Sequence, residues 1–314
     1  MQGIVQPADV TASVSAGLRG RRIDWSGTVF QLALLFTLLL SFAILVTLLT
    51  DVFAKGVPVL AERGMSFLTS GLSSLPERAG IWQGLIGSLG LMLIVVIIAF
   101  PLGIGAAVYM EEYARDTRLS RFINANIRNL AGVPSIVYGI LGLTIFVKAL
   151  GNLTGPGSVN GRSLLSGGLT LAIMVLPIVI ITAAEALRAV PQSIREAAYG
   201  VGATRWETIR SHVLPYAAPG VLTGTVLSLA RALGETAPLI LVGAVTGFFA
   251  SNATFVESFQ DQFTSLPTII YRWATLPADE FRALTAAAII VLMTVLLVMN
   301  SAAILLRNRY ERKW

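Results

Sequence analysis

The 314-residue sequence has no cysteine and a single histidine, His212. Without cysteine the chain cannot form a disulfide, a thiolate metal site or a cysteine nucleophile. One histidine rules out a histidine-rich metal cluster and leaves little room for a Ser-His-Asp triad. Charged residues are also scarce, at 13% of the chain, where soluble proteins carry about 25%. An enzyme and an ordinary soluble domain are therefore both disfavoured.

Apolar residues are correspondingly abundant: they make up 55% of the sequence, and the mean hydropathy is +0.75. A helix needs about 20 apolar residues to cross the hydrocarbon core of a membrane. The fold class predicted from this pattern is an all-α, polytopic membrane protein. Its six transmembrane helices are expected near residues 28–50, 82–109, 131–149, 166–187, 218–246 and 283–306.

Lysine and arginine are divided unevenly between the two sets of tails and loops that would lie on opposite sides of the membrane. Fifteen of the 23 lie in the two terminal tails, the second-to-third loop and the fourth-to-fifth loop, whereas seven lie in the other loops. Basic residues favour the cytoplasmic side, so both termini are predicted to be cytoplasmic. This topology accounts for the net charge of +6, and no nucleic-acid partner is expected.

The pattern divides the chain into a cytoplasmic N-terminal tail of residues 1–27, a transmembrane domain of residues 28–306 and a basic cytoplasmic C-terminal tail of residues 307–314. The first apolar run is too long for a cleaved leader, which predicts an uncleaved first span. The outer loops are expected at residues 51–80, 150–165 and 247–281. The last contains seven aromatic residues between Phe248 and Trp273, which form an interfacial belt, a surface for an external partner, or both.

A charged cytoplasmic loop at residues 188–217 joins the fourth and fifth spans. Pro191 suits the start of a helix, and Thr204 followed by Glu207 is a capping box for a second one. Leu214-Pro215 is predicted to end that second helix, because proline disfavours a helical residue before it. Two short helices would make a knob for a groove on a soluble partner, although an amphipathic surface helix is an alternative interpretation.

The spacing in this loop resembles the segment by which membrane subunits of ABC importers dock onto their ATPase subunits. The family pattern is Glu-Ala-Ala, three residues, Gly, nine residues, Ile, one residue and Leu-Pro. This sequence matches it except that His212 stands at the usual Ile position. The ATPase-docking residues identified by the resemblance are Glu196, Ala197, Ala198, Gly202, Leu214 and Pro215.

The nucleotide chemistry is expected on another chain. Lys55, Lys148 and Lys313 are the three lysines, and none precedes Ser or Thr. The sequence therefore lacks the G-x-x-x-x-G-K-[ST] loop that an ATPase needs. We expect no cofactor on this chain itself, with ATP and Mg bound by a partner ATPase.

A charged pair lies in the middle of the predicted fifth helix, where Arg231 is about 20 Å from the start. A charge there costs at least about 2.5–3.5 kcal/mol, and Glu235, four residues on, can pair with it. Pro238 cannot bond the carbonyl of Gly234, which loosens the helix beside the pair. Two interpretations are open: a structural ion pair that holds this span to its neighbours, or a pore-lining Arg231 that attracts an oxyanion and is oriented by Glu235.

The sequence is similar to the PstA type of permease, a membrane subunit of bacterial high-affinity phosphate importers. The resemblance rests on residues 103–113, 129–139, 230–239 and 267–281, and on Asn300 near the last span. The stretch 230–239 is the most specific, because the sister PstC type usually differs at its Thr-Ala-Pro portion. The resemblance implies a MetI-like ABC importer permease fold, with a substrate pathway beside Arg231, Glu235 and Thr236.

The resemblance also implies the partners. They are a PstC-type sister permease, two copies of a PstB-type cytoplasmic ATPase, an external PstS-type phosphate-binding protein and the lipid of the bacterial plasma (inner) membrane. The chain would be a transport subunit that works by alternating access, not an enzyme. Alternatives are a permease of the same fold for molybdate, sulfate or phosphonate, and a phosphate-sensing membrane subunit.

Overall fold

The structure is a computed structural model that describes residues 25–155, 161–244 and 262–310. The chain divides into two compact units, one up to Asp51 and one from Val52 onward. Every regular element in the described residues is helical. In chain order these helices are α1 (Trp25–Arg63), α2 (Met65–Thr69), α3 (Trp82–Val108), α4 (Arg118–Ala131), α5 (Ser135–Gly142), α6 (Gly151–Thr154), α7 (Leu164–Arg188), α8 (Gln192–Gly200), α9 (Arg205–Thr208), α10 (Leu214–Gly234), α11 (Ala237–Val242), α12 (Leu266–Ala274) and α13 (Asp279–Tyr310).

Three helices are extended by a wider, π-helical turn. These turns are Tyr109–Tyr113 after α3, Leu143–Ala149 after α5 and Ile209–Val213 between α9 and α10. In a π turn each N–H bonds to the carbonyl five residues back, and such turns are often found at functional sites. The last one makes α9 and α10 a single continuous helical path.

Five of the described helices are long and apolar enough to cross a membrane, which confirms the all-α, polytopic fold class. The third predicted span differs from expectation. Ala131 ends α4, and the helix that begins at Ser135 is bent by 101° from it. Val133 precedes Pro134, which disfavours a helical residue at that point. Six spans are reached only if α4 and α5 are counted as one broken span.

Helix α1 is longer than predicted at both ends. It begins at Trp25, inside the predicted N-terminal tail, and it continues to Arg63 through residues expected in an outer loop. Pro58 lies inside it, and prolines are tolerated in membrane helices because other groups satisfy the freed carbonyl. In the N-terminal unit, residues 25–51 expose large apolar side chains such as Phe36 and Leu38, as lipid contact requires.

Small residues let the central helices of the second unit approach closely. A side-chain carbon added at Gly103 of α3 would lie 2.7 Å from Val179 of α7, and one at Gly168 of α7 would lie 2.6 Å from Ile94 of α3. Helices in lipid associate through close van der Waals packing and not through the hydrophobic effect, which favours small residues at their contacts. The backbones of α3 and α7 therefore form the centre of this unit.

Helices α2, α12 and α13 share a separate aromatic core. Trp273 of α12 is only 3% exposed, and its ring lies 6.4 Å from that of Phe67 and 5.9 Å from that of Phe281. Phe263 is buried as well, whereas Tyr271 is exposed. The interfacial-belt interpretation is therefore wrong for the two buried rings, because they pack inside the protein. The other four aromatic residues of this loop lie outside the described residues: Phe248, Phe249, Phe255 and Phe259.

Candidate functional site

The fifth predicted span is broken, and not continuous as expected. Helix α10 ends at Gly234, Glu235 has an extended backbone with φ −79° and ψ 126°, and α11 begins at Ala237. Pro238 falls in the first turn of α11, where its missing N–H is not needed. The predicted loosening beside Pro238 is confirmed, but the continuous helix over residues 218–246 is wrong. Residues 245 and 246 lie outside the described residues.

Arg231 therefore stands in the last turn of α10 and not in the middle of a helix. Its Nε atom is 3.5 Å from Oε1 of Glu235, which confirms the predicted pair. That separation exceeds the usual hydrogen-bond range of about 2.7–3.2 Å, so the ion pair is loose. The Arg231 side chain is 44% exposed, against 20% for Glu235. A cation in the last helical turn is also favoured by the helix dipole.

Arg231 belongs to an exposed stripe that runs the length of α10. The opposite side of the helix is packed against this chain, as at Ser228 and Ala232, which are 0% and 1% exposed. The stripe residues recur every three or four positions, which is the spacing of one helix face. They are Tyr216, Gly220, Thr223, Leu227, Arg231 and Gly234.

The charge of Arg231 limits what can lie against this exposed stripe of α10. A charged side chain in a membrane faces water, a cavity or another protein surface, because exposure to hydrocarbon is costly. Irregular backbone, as at Glu235, is tolerated at membrane depth under the same conditions. Thr236, half-buried, stands at the start of α11 next to this break. The three predicted pathway residues therefore lie together at one interruption of the helix.

The predicted docking loop, residues 188–217, contains the two short helices that the sequence predicts. Helix α8 follows Pro191, and α9 follows Thr204. The capping box is present: the Thr204 N–H donates to Glu207 Oε2 at 2.8 Å, and the Glu207 N–H donates to Thr204 Oγ1 at 3.3 Å. Gly202 lies between the helices with φ +86°, a conformation that favours glycine. These local predictions are confirmed.

Leu214-Pro215 does not end the second helix, in contrast to the prediction. The chain passes from α9 through the π turn Ile209–Val213 directly into α10, and Pro215 occupies its first turn. At this position the backbone hydrogen bonds change: in the π turn each N–H bonds to the carbonyl five residues earlier, and in α10 it bonds to the carbonyl four residues earlier. The missing N–H of Pro215 therefore removes one bond where the ladder already shifts, and the helix continues.

The predicted docking residues are not all on the surface. Glu196, Ala197, Gly202 and Pro215 are exposed, and Leu214 is half-buried. Ala198 is only 5% exposed, so it packs α8 against the rest of the chain and cannot be part of a large contact. His212, which replaces the usual Ile, is exposed, so that replacement removes no buried apolar contact within this chain.

The sequence prediction missed the apolar surface of this loop. Val201 is 86% exposed, Trp206 is 53% exposed and Tyr199 is 44% exposed. Large apolar side chains in a charged loop were a signal that could have identified them. Exposed aromatic residues are common anchors of protein interfaces. Together with Glu196 and Ala197 they form the outward surface of α8 and α9.

No group of three His, Asp or Glu side chains that could hold a metal ion occurs within residues 25–155, 161–244 and 262–310.

The structure has the features of a membrane subunit of a transporter. These features are the apolar spans, a helix broken beside a charged pair, and a pair of short helices in a charged loop. Residues 99–312 match the family described as "Binding-protein-dependent transport system inner membrane component". The chain belongs to this family.

Relatives with known names share most of the chain. It is 35% identical over 267 residues to "Phosphate transport system permease protein PstA 1" of Mycobacterium tuberculosis (strain CDC 1551 / Oshkosh), which covers 84% of this chain and 82% of that protein. It is also 31% identical over 274 residues to "Phosphate transport system permease protein PstC" of Mesorhizobium japonicum, which covers 80% and 84%.

A solved structure shares the fold. A chain of the bacterial alginate ABC transporter, in complex with its alginate pentasaccharide-bound periplasmic protein, superposes with a TM-score of 0.62 at 16% identity. The superposition covers 93% of this chain and 100% of that chain. At this identity the likeness concerns the fold alone. The predicted MetI-like ABC importer permease fold is confirmed, and the chain is a multi-pass transport subunit and not an enzyme.

Proposed function

We propose that this chain is the membrane permease subunit of an ATP-driven importer of inorganic phosphate. The observation that supports it most is the 35% identity to a PstA protein across more than four fifths of both chains. The chain would form half of the pathway, and a sister permease of the PstC type would form the other half. It would lie in the bacterial plasma membrane with both termini in the cytoplasm.

Arg231 is the residue we assign to phosphate. Its planar guanidinium presents a fork of donors that suits the oxygens of phosphate. The loose 3.5 Å pair with Glu235 stays within one helix end, so it does not tie this span to a neighbouring one. Glu235 would orient the guanidinium and keep the anion from binding too tightly to leave. Thr236 would offer a hydroxyl donor at the same break.

The outward surface of α8 and α9 would dock onto the ATPase. Exposed Val201 and Trp206 provide apolar contact, and the glycine turn at Gly202 sets the angle between the two helices. Two ATPase copies would bind ATP and Mg, and an external phosphate-binding protein would deliver the anion. ATP-driven closure of the ATPases would then move the docking loop and open the pathway outward.

Uptake of labelled anions tests the substrate. Cells that lack the chain, and the same cells with the chain restored, would be given labelled phosphate, molybdate, sulfate or phosphonate. We expect restored uptake of phosphate alone. Equal phosphate uptake with and without the chain would contradict the proposal, and restored uptake of another anion would assign the same fold to that substrate.

Arg231→Gln tests the assigned residue. Loss of one charge-assisted hydrogen bond is worth about 1.5–3 kcal/mol, which predicts phosphate uptake reduced about tenfold to a hundredfold while the complex still assembles. Arg231→Lys should retain part of the uptake. The matched control is Arg282→Gln, since Arg282 pairs with Asp279 at 3.0 Å on an exposed surface. Normal uptake by Arg231→Gln would exclude the role of Arg231.

A further inference from the structure

Three consecutive residues after α3 each contact a different arginine of the docking loop. They are Glu111, Glu112 and Tyr113, which end the π turn of this span. The two carboxylates lie 77 and 83 residues from their partners along the chain. The partners are, in the same order, Arg188 at the end of α7, Arg195 on α8 and Arg205 just inside α9.

The middle pair is buried. Nη2 of Arg195 lies 2.7 Å from Oε1 of Glu112, and the two side chains are 13% and 6% exposed. The same guanidinium donates to the carbonyl of Val190 at 2.9 Å and to that of Leu187 at 3.0 Å. One side chain of α8 therefore binds the end of α3 and the end of α7 at once. Charge-assisted bonds in several directions hold it in one geometry.

The two outer contacts support this pair from either side. Arg188 donates to both carboxylate oxygens of Glu111, at 2.8 and 2.6 Å. The guanidinium carbon of Arg205 lies 4.8 Å from the ring centre of Tyr113, within the range of a cation–π contact. Arg188 is 48% exposed, so water weakens this contact more than the buried one.

Helix α3 leads from these contacts to the candidate pathway. Its residues Leu91 and Val95 belong to the same buried cluster as Ala232 of α10. Ala232 directly follows Arg231, at the end of the broken helix. A shift of α3 along or across its axis therefore reaches the helix that carries Arg231 through packed side chains, which deform little because interiors are close-packed.

We propose that Glu112 and Arg195 form a positioning joint that carries the displacement of α8 into α3. ATPase-driven motion would then reach the break at Arg231 through a side-chain contact as well as through the covalent chain. The inference rests on the proposed function, since it requires an ATPase that moves α8. The link between α7 and α8, residues 189–191, is not helical and would otherwise bend under load. The joint supplies the rigid attachment that a transmitted motion needs.

The absence of cysteine in this sequence allows a direct chemical test. The Glu112→Cys/Arg195→Cys chain would be assembled with cysteine-free sister permease, ATPase and binding protein in proteoliposomes. The quantity measured is phosphate imported per ATP hydrolysed. We expect it to fall about tenfold, within the usual range of coupling between sites, while the ATPase still copurifies. A short bifunctional thiosulfonate should restore it, and a monofunctional one should not.

Two further variants separate coupling from folding. Glu112→Gln keeps the size and an acceptor oxygen but removes the charge, and it should lower the ratio less than the double cysteine variant. The control is Asp116→Asn with Arg121→Gln, because this pair is close to the joint in sequence and 2.9 Å apart but 79% and 63% exposed. The control should leave the ratio unchanged.

The outcomes distinguish the joint from the proposed function. An unchanged ratio in the double cysteine variant, or equal recovery with the monofunctional reagent, would overturn the joint. Loss of the assembled complex in both the double cysteine variant and Glu112→Gln would also overturn it, because the pair would then serve folding alone. An unaltered complex that imports no phosphate would instead contradict the proposed function.

Discussion

Gly87→Ala should separate α3 from the segment that leads into α12. A side-chain carbon added at Gly87 would lie 1.9 Å from the backbone carbonyl oxygen of Thr264, whereas ordinary contacts begin near 3.4 Å. The two backbones would have to part by 3.4 − 1.9 = 1.5 Å. The neighbouring bond from the Leu266 N–H to Ser88 Oγ, now 2.9 Å and buried, would stretch beyond any hydrogen bond if it moved by the same amount.

The expected cost follows from these two effects. Overpacking of a close contact costs about 1–3 kcal/mol, and a buried donor left without its acceptor costs about 1–3 kcal/mol more. We therefore expect Gly87→Ala to destabilise the chain by about 2–6 kcal/mol, less the roughly 0.5–1 kcal/mol that alanine gains over glycine inside a helix. The obstacle is a backbone atom, so a change of rotamer cannot relieve it.

Gly105→Ala is the matched control, because it lies in the same helix and a side-chain carbon there would meet nothing within 4 Å in this chain. It should be neutral or slightly stabilising. The assay is thermal unfolding of the purified complex in detergent, followed by the fraction that stays monodisperse after heating. Equal midpoints for Gly87→Ala and Gly105→Ala would show that α3 and residue 264 do not approach as described.

Two other substitutions test surfaces described above. Val201→Ser should leave thermal stability unchanged, since Val201 is 86% exposed, but should lower the amount of ATPase that copurifies. The control Leu153→Ser, at a residue of α6 that is 72% exposed, should lower neither the thermal stability nor the amount of copurified ATPase. Equal copurification with both variants would contradict the docking surface. Trp273→Ala should cost about 3–5 kcal/mol because the ring is buried in the aromatic core, whereas Tyr271→Ala, 56% exposed, should cost far less in the same unfolding assay. Similar midpoints for these two variants would contradict the aromatic core.

Some features of the fold could be predicted because they depend on local chemistry. The apolar runs predicted the first and last residues of α3 and α7 to within a few positions, since the thickness of a membrane sets the length of a helix that crosses it. The capping box at Thr204 and the turn at Gly202 depend on side chains and backbone angles within one loop. Arg231 and Glu235 pair because only four residues separate them along the chain, although Glu235 lies just beyond the end of α10.

Other features were predicted wrongly for an identifiable reason. Hydropathy does not show where an apolar run is interrupted, so the breaks at Val133 and at Glu235 were read as continuous helix. Proline was also ambiguous: Pro134 follows a break, Pro238 begins a new helix, and Pro58 and Pro215 lie within helical segments. The effect of a proline depends on whether other groups can satisfy the carbonyl that it leaves free.

By itself the sequence determined that this is a helical membrane protein, where most of its long apolar helices lie and which short motifs bend or cap the backbone. Only the tertiary structure decided which apolar residues face protein. Trp273 and Ala198 are inside, whereas Val201 is outside, because burial depends on which helices pack together and not on the apolar character of one side chain. Only the tertiary structure, too, brought Glu112 to Arg195, since a contact across 83 residues depends on how the helices pack and not on any local spacing.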